Sequence, residues 1–179
     1  MANIEEIKQK IIEWLVQFGI SKNHIITPTE QDISKAPEQI RPILNRTIVV
    51  PYTLKATEQG MPDLVLKSQI IFDEKWIQVK LLLLSGKEIP DNLRIVLYEK
   101  LLLANFELNE VTYSLSQGKD VYVEADMPVD STLENFKSEY GSIEFGVDYF
   151  LHNIIPGLKS AAKIPAYNPN QRDQPDFFI

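Results

Sequence analysis

Between Asp91 and Asp126 the sequence changes period once, from helical to alternating, and this change limits the possible folds more than any other stretch. Leu93, Val96, Leu97, Lys100, Leu101 and Ala104 recur at three- and four-residue spacing, the repeat of an amphipathic helix. From Val111 to Leu115 and from Val121 to Ala125 the pattern is strict alternation, that of two strands, joined by a turn at Gln117 to Asp120. The helix is expected to stop at Ala104-Asn105, because Asn tolerates a left-handed backbone, which makes Asn105 structural. Gly118 is expected to take the positive backbone angle of the hairpin turn. The same helix carries a second apolar stripe, Ile95, Tyr98 and Leu102, with Arg94 and Glu99 between. A helix apolar on more than one side is either deeply buried or shared with another chain.

Upstream, Ile4, Ile7, Ile11, Trp14, Leu15 and Phe18 mark a first helix over Asn3 to Phe18, capped by Asn3 and stopped by Gly19. Residues 28–45 hold Pro28, Pro37 and Pro42 and read as a long surface connection with at most a helical turn near Glu38 to Leu44. Three strands follow: Arg46 to Lys55, Leu64 to Phe72, and Trp76 to Leu84. Pro51 cannot donate to a ladder, so the first belongs at a sheet edge or turns that position away from its neighbour. The third has Ile77, Val79, Leu81 and Leu83 on one face, and Trp76, Gln78, Lys80, Leu82 and Leu84 on the other. Two apolar faces place it centrally, with the second face at least partly covered by the chain's own termini or by a second subunit.

Downstream, Asp130 or Ser131 is the expected cap of a final helix from Thr132 to about Asn153, with Gly141 and Gly146 allowing a bend. Pro156-Gly157 is expected to close it, with a short helix after it over Leu158 to Lys163. These limits give one α+β domain over residues 1–160 and a Pro/Asn/Gln-rich tail over 161–179. The tail ends in Phe177, Phe178 and Ile179, behind Asp173 and Asp176. An apolar tip on a polar segment is a docking element, either on its own domain, on a second copy or on another protein.

The order helix, three strands, helix, two strands, helix resembles the type III secretion chaperone-like fold. Within it, LLLANFELNEVTYSLSQGKDVYVEADMPVD (Leu101 to Asp130) is similar to the YbjN-like group in its helix end, hairpin and apolar-proline-acidic link. The long connection before the first strand and the tail depart from that pattern. The resemblance implies an antiparallel sheet with helices, dimerisation, and binding of polypeptide segments without turnover of a substrate. Secretion chaperones of this fold are acidic homodimers that hold an extended client segment on apolar patches. Trp76, Leu82, Leu84, Ile95, Tyr98 and Leu102 are the residues expected on the partner or dimer face.

The chemistry of the residues points the same way. The net charge of −7 disfavours nucleic acid and anionic membrane as partners. Without cysteine there is no disulfide, thiolate nucleophile or Cys-ligated metal. The N-terminal MANIEEIKQK has acidic residues before any apolar run, and the longest apolar run, Leu81 to Leu84, is far too short to span a bilayer. A cytoplasmic protein is therefore expected. No phosphate loop, paired-His helix or nucleophile elbow occurs. Asp126 with Asp130 and Glu144 with Asp148 are carboxylate pairs that read as solvated. His152 reads as a cation near a helix end. No cofactor or metal is expected, and the chain reads as a protein-binding module, not an enzyme. The alternatives are a small-ligand binder or enzyme with a cavity between sheet and helices, and a scaffold whose Phe-Phe-Ile tail docks on a partner.

Overall fold

The computed structural model of the chain describes residues 3–54 and 64–162. The turn expected at Gly60 to Asp63 and the tip Phe177, Phe178 and Ile179 lie outside these residues. Helix α1 (Ile4–Gln17) starts at Asn3, whose side-chain oxygen accepts the Glu5 N–H at 3.1 Å. Glu5 and Glu6 occupy its first turn, where the helix dipole favours them. The long connection holds two short helices, α2 (Glu30–Lys35) and α3 (Arg41–Leu44), more order than its prolines predict.

The sheet comprises β1 (Thr47–Leu54), β2 (Leu64–Phe72), β3 (Trp76–Leu84), β4 (Thr112–Leu115) and β5 (Val121–Pro128). Its order is β1-β2-β3-β5-β4 and every pair is antiparallel. With α4 (Asp91–Glu107) between β3 and β4, and α5 (Leu133–Tyr149) after β5, the α+β order expected from the sequence is present, with α2 and α3 added. β3 is the middle strand, as its two apolar faces predict. β1 is an edge strand, as Pro51 predicts. Outside the ladder, Val49 exchanges both backbone bonds with Ile26 at 2.8 Å each. Alternate residues of β1 therefore turn their backbone groups outward, and Pro51 sits where no ladder bond is lost.

One β3 side chain departs from simple alternation. Leu82 pairs with Tyr122 and Leu84 pairs with the adjacent Val121, so a bulge turns both Leu83 and Leu84 inward. Leu84 is only 7% exposed and belongs to the core, not to the outward face where alternation puts it.

Helix α5 closes the core over this sheet. At Gly146 a Cβ atom would lie 2.6 Å from Val123 Cγ2 and 3.1 Å from Val111 Cγ2, so only glycine allows α5 to seat this deeply. The Tyr113 hydroxyl donates to the Gly146 carbonyl at 2.5 Å from the strand below. Gly146 is therefore a point of close approach. The cap of α5 is Thr132, whose hydroxyl accepts the Asn135 N–H at 3.2 Å, rather than Asp130 or Ser131. At the other end, Pro156-Gly157 does not stop the helix. A π turn over Phe150–Ile154 leads into α6 (Ile155–Ala162). The Ile155 N–H bonds to the Phe150 carbonyl, five residues back, and the widened ladder admits Pro156 in the first turn of α6, where no N–H is required.

Replacing Gly146 with alanine is expected to cost roughly 1–3 kcal/mol of unfolding free energy, through overpacking against Val123 and Val111. Urea unfolding of the variant checks this, and an unchanged midpoint would refute the close seating of α5.

Candidate interaction surface

Helix α4 begins after Pro90, with Asp91 and Arg94 ion-paired at 2.5 Å across its first turn. Leu93, Leu97, Leu101 and Ala104 point into the core. Its far end is tied to the sheet by Asn105. The side-chain nitrogen donates to the Tyr113 carbonyl at 2.9 Å, and the side-chain oxygen accepts the Tyr113 N–H at 2.6 Å. The helix continues to Glu107, so Asn105 does not end it. Instead its amide pairs with the outer edge of β4 as a neighbouring strand would. On the flank of α4, the Tyr149 hydroxyl donates to Glu107 at 2.5 Å, and Gly157 of α6 lies against the Lys100 side chain.

With one face buried and its position fixed, α4 turns a row of large apolar side chains to solvent. Ile95 is 80% exposed, Leu102 69%, Leu103 59% and Phe106 89%. At about 100° per residue, Ile95, Leu102 and Phe106 fall within roughly 40° of one another, with exposed Glu99 in line and Leu103 on the flank. At 1.5 Å rise per residue the row is about 16 Å long. Phe145 on α5 is also exposed. It lies between Ser142, which bonds to the Glu110 carbonyl, and Tyr149, which bonds to Glu107, so it borders the end of α4. Apolar residues scattered singly on a surface need no explanation, but here four large ones share one side of a single helix, interrupted only by Glu99.

The residues expected on a partner face divide four ways. Ile95 and Leu102 are in the row, and Leu103 and Phe106 join them although the sequence reading omitted both. Tyr98 is half-buried beside the row, its hydroxyl enclosed with no hydrogen-bond partner among the described residues. Trp76 and Leu82 lie on the outward face of β3. Trp76 is 49% exposed and is held at the strand start by its N–H to Asp73 Oδ1 at 2.8 Å. Leu82 is half-buried against its sheet neighbours. Between them stands a polar network: Glu124 pairs with Lys80 at 3.0 Å, accepts from Gln78 at 2.9 Å, and accepts from the Ser114 hydroxyl. Trp76 and Leu82 therefore do not form one apolar patch. Leu84 is in the core.

The carboxylates serve local ends. Asp148 and His152 are paired at 3.0 Å, and His152 also meets the Asp148 carbonyl. His152 sits inside the π turn with helix beyond it, not near a helix end as expected. Glu144 lies beside Tyr52, whose hydroxyl is pushed above the usual tyrosine range by burial and then by that charge. Glu139 is raised above the usual carboxylate range by burial first, then by Glu110 and Asp126. Among the described residues no three His, Asp or Glu side chains are grouped to hold a metal ion, and no helix is long and apolar enough to cross a membrane.

Two solved structures contain chains of similar outline. A chain in the crystal structure of the ExsC-ExsE complex matches with a TM-score of 0.48 and 10% identity, over 86% of this chain and 97% of that one. A chain in the structure of the HopA1-SchA chaperone-effector complex matches with a TM-score of 0.43 and 9% identity, over 83% and 96% respectively. The likeness is one of outline. No protein-family model and no curated protein matches the sequence.

Replacing Asn105 with alanine leaves the Tyr113 N–H and carbonyl without their partner. The expected loss is about 1–3 kcal/mol, with faster hydrogen exchange at the Tyr113 amide. Full protection of that amide in the variant would contradict the edge-pairing role. The raised Glu139 carboxyl carries a sign of its own. Its folded pKa lies above its unfolded value, so its penalty to folding is complete above the folded pKa and vanishes below the unfolded one. Glu139→Gln is accordingly expected to raise the melting temperature at neutral pH, with the gain disappearing as pH falls through the carboxylate range. A pH series of thermal melts on both proteins decides it.

Proposed function

We propose that this chain is a non-enzymatic, chaperone-like or adaptor module that binds protein segments, works in the cytoplasm and forms a homodimer. The observation that carries the reading is the exposed row on α4. Removing a large apolar side chain from water is worth about 1.5–3 kcal/mol when burial is complete. Four such side chains on a helix anchored along its other side are a standing free-energy incentive to associate. A second copy related by a two-fold axis presents the same row, so that α4 meets α4 and every apolar residue finds an apolar neighbour. The resemblance of Leu101 to Asp130 to the YbjN-like group, and the secretion-chaperone element order, imply the same behaviour.

The sheet edges bear on how a client segment is held. β1 meets Ile26 and carries Pro51, which has no donor, while β4 has its Tyr113 groups taken by Asn105. Strand addition, the commonest way to bind an extended peptide at a sheet, is discouraged at both edges. A client is therefore held through side-chain contacts with apolar surface, with Trp76 and Leu82 on the outward sheet face as candidate contacts outside the dimer.

Sedimentation is the test. The chain is expected to shift with rising concentration from its 20.5 kDa monomer to twice that mass. The double variant Ile95→Glu, Phe106→Glu is expected to remain monomeric with an unchanged circular dichroism spectrum. Equal self-association of wild type and double variant would remove α4 as the interface. A monomer at every accessible concentration, including in a chain with Phe177 and Phe178 replaced by serine, would reject the dimer.

A further inference from the structure

The row on α4 has a candidate occupant in the same chain. The path from α5 through the π turn into α6 runs antiparallel to α4, because Tyr149 reaches Glu107 and Gly157 lies against Lys100. The backbone of α6 therefore runs along the Lys100 flank of α4 toward the N-terminal half of that helix, and the described residues end at Ala162, about 120–140° around the helix from the exposed row. Residues 163–179 follow. Their extended reach, at about 3.3–3.6 Å per residue, is more than three times the length of the row. They finish in Phe177, Phe178 and Ile179. The described chain thus ends beside α4, and the sequence that follows is long enough to round the helix and reach the exposed row with its apolar last residues.

We propose that the Phe177-Phe178-Ile179 tip docks on the outer face of α4 of its own chain, so that a second copy must displace it to use that face. The docking itself stands on the geometry above, and only its competition with a second copy rests on the dimer proposed for this helix. Attachment in the same chain gives the tip an effective concentration in the millimolar range, above that of free copies in a dilute solution. Self-association is then graded by the tail. It is weak while the tip is seated, and strong when a partner, proteolysis or modification takes the tip away.

Because the chain has no cysteine, two introduced thiols report only on each other. Glu99→Cys, at an exposed position within the row, is combined with Asp176→Cys, next to the tip in sequence. As a control, Glu6→Cys on the exposed side of α1 replaces Glu99→Cys. In dilute protein with oxidised glutathione, the expected result is an intramolecular disulfide that forms at least about tenfold faster in the first pair than in the control. A disulfide between two copies, or equal rates in the two pairs, would overturn docking in the same chain. In the otherwise native chain, Phe177→Ser with Phe178→Ser is expected to tighten dimerisation about tenfold, because the competing state is removed. If the intramolecular disulfide forms and neither chain dimerises, docking holds and the dimer falls. If the chain dimerises with no such disulfide and no effect of the tail substitutions, the dimer holds and docking falls.

Discussion

The seating of α5 on β5 at Gly146 is the contact from which the exposed surface follows. With no side chain at that position, the helix backbone approaches Val123 and Val111 closely enough for the Tyr113 hydroxyl to reach the Gly146 carbonyl. Tyr113, a residue of the short strand β4, is thereby fixed to α5. Its backbone, facing the other way, is held by the Asn105 amide, and this bond sets the position of α4 along the sheet edge. Burial pushes the Tyr113 hydroxyl above its usual range, so it remains a donor throughout the working pH range. A chain of close contacts thus runs from a glycine in one helix to the outward face of another.

The same arrangement separates two kinds of exposure. Backbone exposure is suppressed at both rims of the sheet, by Ile26 and Pro51 on one side and by Asn105 on the other. Side-chain exposure is retained on α4. A sheet with unguarded rims grows by adding strands with little regard to sequence, whereas an apolar helix face discriminates by shape. The polar network around Glu124 has a related effect, dividing the outward face of β3 so that Trp76 and Leu82 do not merge into one adhesive surface.

Much of this was legible in the sequence where one physical signal acted alone. Alternation and helical period placed all five strands and the long helices, and Pro51 marked the rim strand. The failures occurred where two signals competed. Leu84 follows the alternation of its strand, but a bulge, which depends on the pairing partner, turns it inward. Pro156-Gly157 is a stop signal in an α-helical ladder and loses that meaning beside a π turn. Asn105 was read for its backbone tolerance, whereas its role comes from a side-chain amide whose partner is β4. Lys119, not Gly118, takes the positive backbone angle in the hairpin, at φ 67°. Helix α2 had a signal that was passed over. Thr29 and Asp32 form a reciprocal capping box, and the Thr-x-x-Asp spacing is visible in the sequence. On the candidate surface, Ile95 and Leu102 were found from the second stripe. Leu103 and Phe106 were missed because the helix was expected to end at Asn105, which removed Phe106 from it and left Leu103 without a row to join.

The π turn at Phe150–Ile154 has a consequence for how this architecture changes over generations. Such a turn holds about one residue more than an α-helical turn, and one residue corresponds to about 100° of azimuth. Loss of a single codon there would leave α5 and its apolar stripe untouched while rotating everything beyond by about a quarter turn. Ile155 and Leu158 would leave the core, and the exit of the chain would swing away from α4. A one-residue edit at this place is a discrete steering mechanism, able to re-aim the C-terminal segment without disturbing the sheet.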